Sequence, residues 1–496
     1  INYMNLTTAR SARRAKEIGI RKVTGSSKLQ LVSQFLIEST LTAVFALLLS
    51  IGLIAAFLPM FNSLSGKYIS FGSMFRPDTI VILLAVIVFV GMVGGSYPAF
   101  YLSRFNPVNV LKGSLSKGSS NVNLRKALVV IQFSISMIML ICTWVVYGQL
   151  RYLRNKDLGF DKAQVLTAMA VTDRDIRSSV LSFKNEIRNN PKVLSVSTAS
   201  SVPGQGISFN LFSVQSKDGY VDKGVDVYAI DEDYLKTLGI KMAKGRNFSG
   251  ISDTLHSILV NEKMVQEFGW GDNPVGKRVK YPGDTSGYYL EVVGVVKDFN
   301  QKSLYNPITP LILLYSRNNN LIQLKLNTAD ISSTVAGIEQ TWKKFFPDMP
   351  FQYTFLDQDF DSQYAADQKR GQIFTAFSVL TILITCLGLL GLIAYTTEQR
   401  QKEISIRKVM GASVRQIIPL VIKNFVALVG LSCIIAFPVA GYFMAKWLKV
   451  FPYNTGLSIA PFILSALVVL FITMLTVIFH TLRAAVANPV RALRTE

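Results

Sequence analysis

Apolar residues are not spread evenly along this chain. They gather in six runs that each reach the about 20 residues a helix needs to cross a bilayer: Val32–Leu58, Thr79–Tyr97, Ala127–Tyr147, Gln372–Tyr395, Ile417–Met444 and Ile459–His480. More than 200 residues without such a run separate the third from the fourth, enough for one or two globular domains. In that interval short β-rich runs alternate with helical patterns. "ILVNEKMVQEFG" reads as a strand leading into a helix, and "LEVVGVVKDF" and "LIQLKLN" read as strands. The polar stretch "FDSQYAADQKRGQIFTAF" is helical in composition and is expected to run without a break into the fourth apolar run, as a stalk. The pattern predicts a polytopic α-helical membrane protein carrying a large α+β domain outside the cytoplasm.

Composition agrees. Half of the 496 residues are hydrophobic and only 17% are charged. The net charge of +21 would suit a nucleic-acid partner, but its distribution removes that reading. Residues 1–31 carry +6, residues 98–126 carry +5, residues 396–416 carry +3 and residues 480–496 carry +2. Residues 148–371 hold 27 basic against 25 acidic side chains. Short basic segments on alternate sides of membrane helices follow the positive-inside rule. They place all four segments in the cytoplasm and residues 148–371 outside, in an inner-membrane, multi-pass arrangement. Cys142, Cys386 and Cys433 all fall in apolar runs, so the external domain must hold together without disulfides.

One phrase occurs twice. Nine of the twelve residues from Lys16 to Ser27 recur without a gap at Lys402–Ser413. Each copy reads as a short basic helix, a glycine-ended turn and a new helix entering the bilayer. Glu17 and Arg21, like Glu403 and Arg407, stand at i,i+4. Gly25 and Gly411 suit a left-handed helix cap. Ser27-x-x-Gln30 and Ser413-x-x-Gln416 have the form of a capping box. Simple anchoring to lipid phosphates needs charge but no fixed order of charge, apolar residue and glycine. The near-identity favours a shaped surface that docks something twice. The repeat extends to Asn106-Pro107-Val108 and Asn488-Pro489-Val490, with Leu111 and Leu493 in register. The opening "INYMNL" reads as the tail of another apolar segment. By symmetry, a further helix and a further external domain are expected ahead of Ile1, for about eight membrane helices in the full protein.

"RAKEIGIRKVTGSS" and "RQKEISIRKVMGAS" resemble the cytoplasmic signature of the FtsX-like permease family, which includes the MacB-type permeases of ABC transporters. "DEDYLKTLGIKMAKGRNF" from Asp231, "LVNEKMVQEFGWGDNPVGKRV" from Leu259 and "VVGVVKDFNQKSLYNPITPLIL" from Val292 resemble the MacB-like periplasmic core domain. The resemblance divides the chain into the end of a first permease unit (1–126), a transmembrane helix (127–147), a periplasmic domain (148–371) with a β-rich insertion near 210–300, and a second permease unit (372–496). It implies a subunit that is not itself an enzyme. A cytoplasmic ABC ATPase dimer, carrying ATP and magnesium, would drive the periplasmic domain for export or extraction of a substrate. The ATPase-coupling residues would be Lys16, Glu17, Ile18, Arg21, Lys22 and Gly25, with Lys402, Glu403, Ile404, Arg407, Lys408 and Gly411. Membrane lipids and a periplasmic partner or adaptor are the other expected partners. The alternative is a mechanotransmitter that regulates a periplasmic partner, such as a cell-wall hydrolase, without transport.

Other chemistry finds little support. Gly271-Asp-Asn-Pro-Val-Gly276-Lys277 approaches a phosphate loop, but Arg278 stands where the magnesium-binding Ser or Thr belongs, and Pro274 removes an N–H. The two histidines, His256 and His480, have no close His or Cys partner for zinc. No G-x-S-x-G is present. No cofactor and no metal is expected in this chain. Glu38, the one acid within the apolar runs, reads as a structural polar contact rather than a proton relay; Asn424 is its counterpart in the second copy. Gly91 and Gly95 either permit close helix packing or loosen the helix end near Pro98. Pro419 and Pro438 are expected to kink the fifth run or mark its ends.

Overall fold

The computed structural model describes residues 15–103, 119–170, 174–254, 256–399, 406, 410 and 414–486. The Asn-Pro-Val motifs of the extended repeat lie outside these residues, as does most of the second copy of the phrase. The chain divides into two compact units. The first comprises residues 1–148, 367–447 and 456–496; the second comprises 149–366 together with 448–455.

The first unit is helical. The short α1 (Ala15–Val23) precedes α2 (Lys28–Ser65) and α3 (Pro77–Ser103). Then come α4 (Ser119–Asn155), α10 (Ala365–Gln399), α11 (Val414–Leu448) and α12 (Ala460–Val486), the numbers between being taken by the second unit. Six of these helices are long and apolar enough to cross a membrane. Their outer surfaces remain apolar: Phe45, Leu49, Phe89 and Phe471 are all exposed. Helices that are apolar all round and yet uncovered require a lipid solvent.

Hydrophobic burial drives little association between helices in lipid, so packing and polar contacts must hold them. α4, α10, α11 and α12 share a core that includes Phe133, Met137, Leu389, Phe425, Val429 and Val477. Across α4 and α10, Ser136 Oγ meets Thr385 Oγ1 at 2.8 Å, and Thr143 Oγ1 meets Ser378 Oγ at 2.7 Å. Ser432 Oγ of α11 donates to the Val130 carbonyl at 3.1 Å. α2 and α3 pack through small residues. A Cβ added at Gly91 would stand 2.6 Å from Thr40 Oγ1, and one at Gly95 would stand 2.7 Å from Ser39 Oγ. Of the two readings of this glycine pair, the structure therefore selects close helix approach. Pro419 and Pro438 lie inside α11 and do not end it.

The second unit is α+β. Its strands are β1 (Val165–Met169), β2 (Val193–Ala199), β3 (Ser208–Ser216), β4 (Gly219–Ile230), β5 (Met242–Gly245), β6 (Ser257–Asn261), β7 (Arg278–Lys280), β8 (Leu290–Val296), β9 (Leu311–Tyr315), β10 (Leu321–Leu326) and β11 (Tyr353–Phe355). Its helices are α5 (Arg174–Ile187), α6 (Tyr234–Thr237), α7 (Glu262–Glu267), α8 (Ile331–Phe345) and α9 (Leu356–Ser362). Two cores form. In one, β11, β1, β10 and β2 lie in antiparallel order. Ile322, Leu324 and Leu326 alternate inward along β10, and α5 and α8 supply Phe183, Ile338 and Trp342. The Trp342 ring centroid lies 4.4 Å from that of Phe346, tilted to it, and 5.6 Å from that of Phe183, edge to face. In the other, β4, β3, β7, β8, β6 and β9 close a ring, because β4 pairs both with β3 and, in parallel, with β9. Phe212, Val225, Val260, Val279, Val292 and Ile312 are buried within that core.

The polar stretch from Phe360 to Phe377 runs into the fourth apolar run without a break from Ala365 onward, within α10, but its first residues belong to a separate helix. α9 ends at Ser362 and α10 begins at Ala365. The turn between them is held by its own side chains: Gln363 Nε2 donates to the Gly204 carbonyl at 2.9 Å, and Tyr364 Oη accepts from Leu304 N–H at 2.8 Å. Helical composition yields here to two tertiary hydrogen bonds.

Candidate functional site

The first copy of the repeated phrase is described in full backbone detail. Glu17 and Arg21 form the expected i,i+4 pair at 2.8 Å. Arg21 also donates to Gln34 Oε1, on α2, at 2.9 Å. Gly25 takes φ +104°. Around it Ser26 N–H donates to the Arg21 carbonyl at 3.0 Å and Gly25 N–H to the Lys22 carbonyl at 3.2 Å. This bond pair is the Schellman motif, and its left-handed residue is one that only glycine adopts without strain. Two residues on, Ser27 Oγ accepts from Gln30 N–H at 3.3 Å while Gln30 Oε1 accepts from Ser27 N–H at 2.9 Å. Both halves of the capping box are made. α1 is thus stopped by one motif and α2 started by the next, with a fixed turn between them.

The surface this creates is both basic and apolar. Ile20 is 55% exposed and Val23 63% exposed. Burial, and then the charge of Lys28, lower the pKa of Lys22. Lys16 and Ile18 belong to α1 by position. Of the second copy, Lys402, Glu403, Ile404, Arg407, Lys408 and Gly411 lie outside the described residues. Ile406 and Met410 are described; Met410 N–H donates to the Ile406 carbonyl at 2.9 Å, a helical spacing. Ile406, the counterpart of Ile20, is 56% exposed, and Met410 is 82% exposed. Each copy therefore presents an apolar side chain at the same step of the phrase. The Arg21–Gln34 brace was not legible in the repeat, because the residue 386 positions after Gln34 is Leu420.

The near-phosphate loop is a structural turn. Gly276 N–H, which would have to face a phosphate, donates to the Val292 carbonyl at 2.8 Å, and Lys277 N–H donates to the Pro274 carbonyl. Arg278 opens β7. A cleft of about 450 Å³ nearby is lined by Lys217, Lys244, Glu262, Val265 and Gly269 among others. Among the described residues no group of three or more His, Cys, Asp or Glu side chains is placed to hold a metal ion. His256 Nδ1 lies 3.1 Å from the Tyr289 carbonyl.

The FtsX-like permease C-terminal family matches residues 1–107 and 375–489. These two segments are the two halves of the repeat. Among curated proteins, the macrolide export ATP-binding/permease protein MacB of Agrobacterium fabrum is 32% identical over 111 residues, 22% of this chain and 17% of that protein. The uncharacterized ABC transporter permease YvrN of Bacillus subtilis is 24% identical over 299 residues, 54% of this chain and 70% of that one. The chain thus spans under a fifth of the length of the MacB protein it matches. Among solved structures, the periplasmic region of MacB from Actinobacillus actinomycetemcomitans aligns with 42% of this chain and 97% of its own, at 17% identity and a TM-score of 0.30. A segment that matches the FtsX-like permease family thus lies at each end of the chain, and an ABC transporter permease is similar to it over about half its length.

Proposed function

We propose that this chain is the membrane permease subunit of an ABC transporter in the bacterial inner membrane. ATP hydrolysis by a separate cytoplasmic ATPase moves its extracytoplasmic α+β domain, for export or extraction of a substrate. The observation that carries the proposal is the repeated phrase. Its first copy folds as a rigidly capped basic helix with an uncovered isoleucine, and the second repeats its sequence. An ATPase dimer has two equivalent faces, and two copies of the phrase would offer one dock to each. The basic distribution supports the orientation, with both phrases on the cytoplasmic side.

The test is association. Arg407→Glu reverses one charge at a docking surface, where a mismatched charge costs several kcal/mol. Loss of the i,i+4 pair with Glu403 that the sequence spacing allows would cost only a few tenths. A cytoplasmic ATPase should co-purify with the wild-type chain from native membranes and be lost with Arg407→Glu. It should stay with Lys117→Glu, a basic position outside both copies. Equal retention by the two variants would make the phrases plain lipid anchors.

A further inference from the structure

Residues 448–455, the last residue of α11 and most of the loop that leads to α12, group with the α+β unit, whereas the rest of α11 and all of α12 belong to the other unit. The loop's bonds explain why. Phe451 is 3% exposed, and its ring centroid lies 5.4 Å from that of Tyr305, itself 5.5 Å from Tyr364. Tyr453 Oη accepts from Asn300 Nδ2 at 3.3 Å and from Ile308 N–H at 3.2 Å. The Tyr453 carbonyl accepts from Gln149 Nε2 at 2.8 Å, and Thr455 N–H donates to Gln149 Oε1 at 3.0 Å. Lys156 Nζ stands 4.3 Å over the Tyr453 ring. Gln149 is fully buried and Asn300 is 3% exposed. A loop that merely joins two membrane helices runs over the surface and leaves its backbone to water. This one spends ordering entropy to hold both ends of Tyr453, its hydroxyl and its carbonyl, against buried amides. The loop between α2 and α3, its counterpart in the first copy, stays within the first unit.

Connectivity gives the latch a purpose. The second phrase sits between α10 and α11. Two chain paths leave it: back along α10 to Ala365, and forward along α11 to Leu448. Both end in or beside residues of the α+β unit. We propose that the Tyr453 latch is the second mechanical input to the α+β domain: displacement at the second phrase reaches the domain through α11 and Tyr453 as well as through α10. This inference rests on the coupling function proposed above.

The test uses the full chain in native membranes, with hydrogen–deuterium exchange read with ATP present and after ATP depletion. Tyr453→Phe keeps the ring and the cation over it but removes the acceptor of the Asn300 and Ile308 bonds. Exchange in the peptide holding Ile308 should rise roughly five- to tenfold, the worth of one net hydrogen bond. The ATP-dependent change in the α+β domain should fall several-fold while ATPase co-purification stays at the wild-type level. Gln149→Leu opens the latch from its other side and should do the same; Tyr442→Phe, at an exposed position of α11, should do neither. If the wild type responds to ATP and both latch variants respond equally well, the latch carries no motion and the inference falls alone. If the wild type shows no ATP-dependent change, the coupling function falls and takes the latch with it.

Discussion

Gly91 and Gly52 are both helical glycines in membrane-spanning segments, and their surroundings set opposite expectations for alanine. A Cβ at Gly52 meets nothing within 4 Å. A Cβ at Gly91 meets Thr40 Oγ1 at 2.6 Å and, more importantly, the Thr40 backbone at 3.1 Å. The hydroxyl can rotate; it already donates to the Leu36 carbonyl at 2.8 Å. The backbone cannot rotate away, so α2 and α3 must separate. Alanine gains up to about 1 kcal/mol over glycine in a helix interior, and that gain is common to both sites. It cancels in the difference between the two variants. What remains is the overpacking cost at Gly91, about 1–3 kcal/mol. Gly52→Ala should therefore stabilise the full chain slightly, and Gly91→Ala should stand about 1–3 kcal/mol below it. The measurement is denaturant-induced unfolding of the full chain in mixed micelles, followed by loss of helical circular dichroism. Adding Thr40→Ala should recover only part of the loss, since the backbone at position 40 still stands in the way. Equal midpoints for Gly91→Ala and Gly52→Ala would refute the close approach of α2 and α3.

Helix α1 and the Arg246–Asp253 pair give three further tests. Gln34→Leu removes the Arg21 brace and makes the first copy like the second, where Leu420 stands; exchange of the α1 amides should rise a few-fold, with ATPase co-purification unchanged. Arg21→Glu loses both the brace and the half-exposed Glu17 pair, about 1 kcal/mol together, and should also reduce co-purification. Asp253 accepts Arg246 Nη2 at 2.8 Å and Ser249 N–H at 2.6 Å, and the Arg246 guanidinium foremost holds its carboxyl well below the usual carboxylate range. A depressed folded-state pKa contributes stability above the unfolded pKa, near 3.9, that is lost as pH falls towards the folded value. Asp253→Asn should therefore cost about 1–3 kcal/mol at neutral pH. That penalty should shrink below about pH 4. A penalty independent of pH, read by urea unfolding, would exclude this origin.

The sequence by itself determined what depends on local periodicity and on the solvent. Six apolar runs became six long apolar helices, since lipid asks only for length and hydrophobicity. The Schellman glycine at Gly25 and the box of Ser27 and Gln30 formed where the residue types place them, because their bonds join residues no more than five apart. Strands β6, β8 and β10 sit on the runs that alternate or concentrate branched apolar residues. Tertiary structure decided whatever needed a partner far along the chain. Ring closure rests on β4 lying parallel to β9, with Asp226 opposite Leu311, and no periodicity names that partner. The break between α9 and α10 depends on Gly204 and Leu304, and the choice between packing and looseness at Gly91 depends on Thr40. The last loop stands in the sequence simply between two membrane helices; only its bonds to Gln149, Asn300 and Ile308 make it part of the α+β unit. Side chains that meet across hundreds of residues share no local signal, so their pairing is written in the fold and not in the pattern.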